Sequence, residues 1–258
     1  MKNTIAYLLI ILLLPAFALE PSSKALELFE AGRYAGNDND TLLYRLLSPQ
    51  KTGENTKYPL VLFLHGAGER GNDNERQLIW GADHFITEKN RKQYPCYVLA
   101  PQCPPSERWV DVSWELPYHF MPEKASRPMQ LVIELLQELQ KNFPVDRDRI
   151  YVTGLSMGGY GTWDIISRMP ELFAAAAPVC GGGDVHQAES LTGIPIWVFH
   201  SVDDAVVPVE RSRKMIIAIR KAGGKKVRYT EYTDAGHGSW KPAYDDQEFM
   251  DWLFAQKK

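Results

Sequence analysis

Three residue types, far apart in the chain, can together make an acyl-transfer centre: a serine at 156, a carboxylate at 203 or 204, and a histidine at 237. Serine at its ordinary pKa is a weak nucleophile, so it needs a base within hydrogen-bond reach. That base needs a carboxylate to hold its tautomer. Ser156 stands in Gly154-Leu155-Ser156-Met157-Gly158, where a β-branched run drives into a sharp turn and then a helix. Glycines two residues to either side let neighbouring backbone pass without Cβ clashes, and the serine is held up and exposed. Alone, the pattern is weak, because a glycine-rich helix start capped by its serine has the same letters. His237 lies in Ala235-Gly236-His237-Gly238, a flexible loop after a strand pattern. His65 and His200 close apolar runs and are expected to orient loops, while His84, His119 and His186 show no metal-site spacing.

The elements that must position these residues alternate between strand and helix. Thr41–Leu47 reads as an antiparallel edge strand, and the preceding stretch from Lys24 to Tyr34 fits either element. Pro59–His65, Cys96–Ala100, Phe173–Val179 and Ile194–His200 are continuously apolar, as strands covered on both faces should be. Arg149 to Thr153 leads to the serine turn, and Val227–Tyr232 precedes His237. Helices are expected over Ala82–Lys92, Pro128–Asn142, Ser156–Met169, Val209–Ala222 and Ala243–Gln256, with Pro101 closing the second apolar strand. Such alternation implies an α/β fold with a mostly parallel central sheet and helices on both faces, and ligands at the carboxyl ends of the strands. Ser156, Asp203, Asp204 and His237 all follow strands, so they fall on one rim. The proline- and aromatic-rich stretch from Pro101 to Pro128 has neither period and reads as a long functional loop.

The chain has 258 residues, 45% hydrophobic and 24% charged, which suits one domain with a large core. A net charge of −3 with scattered Lys and Arg offers no nucleic-acid footprint. Residues 1–18 read as a secretory signal peptide: Lys2, an apolar run from Ile5 to Phe17, then Ala16-Phe17-Ala18 as a small-x-small cleavage site. The run is short for a bilayer span. The expected mature unit is 19–258, secreted or periplasmic, with no membrane association once the signal is removed. Three cysteines allow at most one internal bridge. Cys103 and Cys180 follow strand ends on the same rim and are the candidate pair, with buried free thiols as the alternative.

Four motifs, taken in order, resemble the serine esterases of the α/β-hydrolase fold, close to the dienelactone hydrolase, phospholipase/carboxylesterase and feruloyl esterase branches. They are His65-Gly-Ala-Gly-Glu-Arg-Gly71, Gly154-Leu-Ser-Met-Gly-Gly159, His200-Ser-Val-Asp-Asp-Ala-Val-Val-Pro208 and Gly236-His237. The resemblance runs from about Thr41 to the C-terminus. It implies an α/β-hydrolase fold with Ser156 as nucleophile, His237 as base and Asp204, four residues before the proline, as the acid in preference to Asp203. It also implies an oxyanion hole from the backbone N–H groups of Ala67 and Met157, and no metal or organic cofactor. Dienelactone hydrolases proper use cysteine where this chain has Ser156, which favours ordinary esters over lactones. Ser201 stands where many relatives have glycine, a change expected to cost little. The His65–Gly71 stretch lacks the patterns of a phosphate-binding loop.

The function this implies is a secreted carboxylesterase acting on small-molecule or polysaccharide-linked esters, such as acetyl or feruloyl esters of plant polysaccharide. Trp109, Trp114 and Trp240 are the candidates for stacking on substrate. The competing readings are a prolyl-oligopeptidase-like peptidase, for which the chain has no room for a propeller, and a non-catalytic binding protein of the same fold. No sequence feature specifies an oligomeric state.

Overall fold

The computed structural model describes residues 19–36, 40–51, 53–114 and 116–258; the expected signal peptide, 1–18, lies outside them. The chain begins with α1 (Ser23–Leu28), whose first turn is capped by Ser22 Oγ accepting from Ala25 N at 3.1 Å. It continues directly into β1 (Phe29–Ala35), so the stretch that fits either element holds one of each. β2 (Thr41–Leu47) returns antiparallel to β1, pairing Phe29 with Leu47 and Ala35 with Thr41.

β3 (Tyr58–Leu64) and β4 (Tyr97–Gln102) are buried at every position. They are followed by β5 (Val145–Leu155), β6 (Ala175–Val179), β7 (Ile196–Ser201) and β8 (Val227–Tyr232). The sheet runs β1-β2-β4-β3-β5-β6-β7-β8, antiparallel at β1 and β2 and parallel from β4 through β8. Period-two alternation divides the core between the two faces. Leu60, Leu62 and Leu64 meet α4 (Arg127–Asn142), α5 (Met157–Arg168) and α6 (Glu210–Lys221) on one side. Val61 and Phe63 meet α2 (Ala82–Ile86), α7 (Trp240–Asp245) and α8 (Gln247–Ala255) on the other. Each fully buried Leu or Phe contributes about 1.5–3 kcal/mol over leaving it in water, which is why these apolar runs define the frame.

Several boundaries differ from the sequence expectation, each for a local reason. The helix expected over Ala82–Lys92 breaks at Thr87, which is extended and accepts from Asn90 N to cap α3 (Glu88–Gln93). The expected last helix likewise divides at Asp246, extended, with its carboxylate accepting from Glu248 N. Pro101 does not close β4 but sits within it opposite Tyr44. The last β3–β4 pair is Leu62 with Leu99, so at Pro101 the strand has a partner on one side only, where proline is tolerated. Cys103 and Cys180 are not bridged: both are buried free thiols, as is Cys96.

Candidate active site

Ser156 occupies the junction of β5 and α5 with φ 53° and ψ −115°, a backbone region that costs a side-chain-bearing residue about 1–3 kcal/mol. The surroundings enforce it. Ser156 N donates to Val179 O on β6 at 3.0 Å, and a Cβ on Gly158 would stand 1.9 Å from Leu64 O, so α5 starts pressed against the end of β3. The serine does not cap its helix. Its Oγ lies 2.9 Å from His237 Nε2 instead.

His237 sits in a single 3-10 turn, Gly236–Gly238, entered through Gly236 at φ 56°. Its Nδ1 lies 2.9 and 3.0 Å from the two oxygens of Asp204. Asp204 also accepts from Val206 N and Val207 N at 2.8 and 2.9 Å, and His200 Nε2 stands 3.2 Å from its Oδ2. Burial alone would raise this carboxyl's pKa. The hydrogen bonds from His200, His237, Val207 N and Val206 N outweigh it and hold the group well below the usual carboxylate range. An ionised Asp204 only accepts, so the His237 proton belongs on Nδ1 and Nε2 is free to take the Ser156 proton.

Asp203 has a different task. It is exposed, and its Oδ1 accepts from Ser201 Oγ at 2.5 Å and from Gly236 N at 2.9 Å. Ser201 is buried and accepts from Ala235 N at 3.1 Å, with its proton directed at the nearer Asp203 Oδ1 and Tyr232 O a more distant neighbour at 3.2 Å. The departure from glycine at 201 is therefore put to use: Ser201 and Asp203 fasten the turn that carries His237 to the end of β7, just before the loop that carries Asp204.

The two expected oxyanion donors begin two helical turns. Met157 is the first residue of α5, and Ala67 the first residue of the 3-10 turn Ala67–Glu69. First-turn N–H groups have no intrahelical acceptor and stay available to an anion. The turns are brought together by close backbone packing, since a Cβ on Gly158 would lie 2.8 Å from His65 O. His65 locks the first loop. Its Nε2 accepts from Cys103 N at 2.9 Å, which puts the proton on Nδ1, and Nδ1 donates to Gly66 O at 2.6 Å. Burial lowers its pKa to about 4, so it remains a neutral brace.

Of the three tryptophans singled out for substrate, Trp109 is corrected. It is 0% exposed, its Nε1 donates to His65 O at 3.0 Å, and it belongs to the core beneath the loop that leads from His65 to Ala67. Trp114 is half-buried, its ring 6.3 Å from that of Tyr160 and capped by the Arg108 guanidinium at 4.7 Å. Trp240 is half-buried and meets the His237 ring edge-on at 5.4 Å, so it backs the base. His200 orients the Asp204 loop as its place at a strand end implies, while the tasks of Ser201 and Asp203 in fastening the histidine turn go beyond the sequence expectation. The paired Asp203-Asp204 and the buried-strand ending His200-Ser201 were the visible signals for these three.

Cys180, Asp204 and His237 place one potential metal-ligand atom each within 4.8 Å of one another, the single such group among the described residues. The donor set does not suit a resident ion. Burial raises the Cys180 thiol to about 12, and both Asp204 oxygens are already engaged by hydrogen-bond donors. A cleft of about 470 Å³ lined by Tyr58, Pro59, Tyr94 and Arg149 lies where β3 begins, away from all the reactive side chains.

The phospholipase/carboxylesterase family pattern matches residues 51–250. A solved structure described as a thermostable esterase superposes with a TM-score of 0.85 at 45% identity, over 91% of this chain and 64% of that one. A bifunctional acetylxylan esterase/xylanase of Neocallimastix patriciarum is 27% identical over 153 residues, 58% of this chain and 20% of that protein. A poly(3-hydroxyalkanoate) depolymerase C of Paucimonas lemoignei is 25% identical over 171 residues, 65% of this chain and 38% of that protein. The chain thus spans less than two fifths of the length of these two curated relatives.

Proposed function

The chain belongs to the phospholipase/carboxylesterase family, and from that premise we propose that it is a serine carboxylesterase working through an acyl-enzyme on Ser156. The observation that carries the reading is the unbroken series Ser156 Oγ, His237 Nε2, His237 Nδ1 and Asp204, with links of 2.9 Å from serine to base and 2.9 Å from base to acid.

In this mechanism His237 Nε2 takes the Ser156 proton as Oγ attacks the ester carbonyl. The tetrahedral oxyanion rests on the N–H groups of Met157 and Ala67, and the loss of one such donor typically lowers the rate by about 10²–10³. Asp204 holds the imidazole in the Nδ1–H tautomer and stabilises the imidazolium. His237 then gives its proton to the departing alcohol oxygen. A water, deprotonated by the same nitrogen, attacks the acyl-enzyme, and Ser156 leaves reprotonated with the carboxylic acid released.

For substrate, carbohydrate-linked acetyl or feruloyl esters remain the leading class. The acetylxylan esterase named among the relatives and the half-buried ring of Trp114 beside the site support it. Export to the periplasm or medium is part of the same proposal and rests on the signal-like residues 1–18.

The test is hydrolysis of p-nitrophenyl acetate, p-nitrophenyl octanoate, methyl ferulate and a prolyl amide by the mature chain and by Ser156→Ala. Ester turnover that vanishes in the variant is the expected result. Turnover of the amide alone would move the chain to the peptidases, and full activity in Ser156→Ala would overturn the mechanism.

A further inference from the structure

Arg211, the second residue of α6, is 3% exposed, and no carboxylate among the described residues pairs with it. A buried guanidinium without an acid is unusual, because charges inside proteins are held by counter-charges and filled hydrogen bonds. What Arg211 has is makeshift. One terminal nitrogen donates to His119 Nδ1 at 2.9 Å, the other to Ser113 O at 3.2 Å, and the head lies 5.2 Å from the centre of the Tyr160 ring. Its Nε and Tyr160 Oη are both buried and have only each other's side chains beside them, with no well-formed hydrogen bond to either atom. His119 accepts as a neutral ring, since burial, helped by the Arg211 charge, lowers its pKa to about 4. The cation is therefore not neutralised by its surroundings.

Arg211 also borders a small, mostly apolar cavity of about 110 Å³, walled by the Pro117–Phe120 strap, Gly183, Val185 and Lys214. None of Ser156, Asp204 and His237 lines this cavity, which is connected to them through Arg211 and its neighbours Tyr160 and Pro208. Tyr160 is one helical turn past the nucleophile, its N donating to Ser156 O at 3.1 Å. Arg211 N donates to Pro208 O at 2.9 Å, just after the loop that holds Asp204.

We propose that Arg211 is a specificity-determining residue that receives an anionic group, a carboxylate, carried by the ester substrate in the cavity beneath the 117–120 strap. The inference rests on the esterase reading and deepens it. An incoming carboxylate would accept from Arg211 Nε and from Tyr160 Oη, replacing the makeshift neutral partners, while Tyr118 and Phe120, both more than half exposed, cover its carbon chain. A hydrogen bond to a charged group contributes enough to discriminate about tenfold or more against a neutral isostere.

The experiment compares kcat/KM for matched pairs, with one arm for each side of the ester. Monomethyl glutarate and monomethyl adipate are set against methyl pentanoate and methyl hexanoate, and 4-carboxyphenyl butyrate against 4-carbamoylphenyl butyrate. The expected result is a preference for the anionic ester of about tenfold or more in one arm, which falls to near one in Arg211→Met and is partly kept in Arg211→Lys. Competitive inhibition of neutral-ester hydrolysis by free glutarate or adipate supplies a reading on the native protein should a variant fail to fold. Neutral esters hydrolysed as well as anionic ones in both arms, or a preference undiminished in Arg211→Met, would overturn the proposal and leave the esterase reading intact. No turnover of any ester by the native protein would remove the esterase reading and this proposal together.

Discussion

His200 shares its buried ring between two tasks: Nε2 stands 3.2 Å from Asp204 Oδ2 and 2.9 Å from Val207 O, while Nδ1 lies 2.7 Å from Ser212 Oγ. Both Nε2 neighbours are acceptors, so Nε2 carries the proton and Nδ1 accepts from the serine hydroxyl. Asp204 is thus gripped by a histidine on each side. Only one of them faces the nucleophile.

Replacing His200 should act on the acid and, through it, on the base. His200→Phe removes the donor to Asp204 and leaves Val207 O and Ser212 Oγ without their partner, so a fall in kcat of about tenfold or more is expected, with a lower Tm. His200→Gln, whose amide can donate, should recover much of both. The check is kcat and KM measured separately on p-nitrophenyl acetate. A fall in KM-dependent terms alone, with kcat unchanged, would contradict the positioning role.

The two adjacent aspartates should separate cleanly. Asp204→Asn leaves His237 Nδ1 facing a group that can donate as well as accept, the wrong-tautomer situation that costs about 10⁴ in kcat in a serine protease. Asp203→Asn should cost less than about tenfold, because the asparagine oxygen can still accept from Gly236 N and Ser201 Oγ. Equal losses in the two variants would mean that the acid is not assigned to one of them.

The frame was legible because burial leaves a periodic trace. β3 and β7 are apolar at nearly every position, and their predicted limits were within two residues of those found. The nucleophile turn and the histidine loop could be read because each couples a fixed motif to a strand end, whereas Asp204 was preferred to Asp203 only on the family resemblance. Features set by a single side-chain contact were not legible: the break at Thr87 is one hydroxyl accepting one N–H. Trp109 shows a deeper difficulty, since composition counts a tryptophan without saying which way the loop turns it. Nothing in the sequence marks Arg211 as buried, because the strap that meets it through His119 comes from a distant part of the chain.

The cysteines offer a direct check on the corrected pairing. All three are buried free thiols, and burial raises those of Cys96 and Cys180 to about 12 and that of Cys103 still further. The native protein should therefore react with a thiol reagent at neutral pH far more slowly than an exposed cysteine does. In denaturant three equivalents should be taken up without reductant, and reductant should leave Tm unchanged. Uptake of a single equivalent in denaturant would restore the Cys103–Cys180 bridge.

Asp204 also ties stability to pH, with a sign that follows from its hydrogen bonds. Its folded pKa lies below the usual carboxylate value of about 3.9 because His200, His237 and two N–H groups hold the charged form against the effect of burial. Above pH ~5 the carboxylate is ionised in both folded and unfolded chains, and its full contribution is present. Below that, the unfolded chain takes up the proton first, so stability falls as the pH drops towards the folded value. Asp164 works the other way, because burial, only partly offset by Arg168, raises its folded pKa. The Asp204→Asn chain should accordingly be less stable than the native one at pH 7, and the gap should narrow between pH 5 and pH 3 in urea titrations or thermal melts. Parallel curves over that interval would mean that Asp204 does not carry a depressed pKa, and the charge stabilising the His237 imidazolium would have to be sought elsewhere.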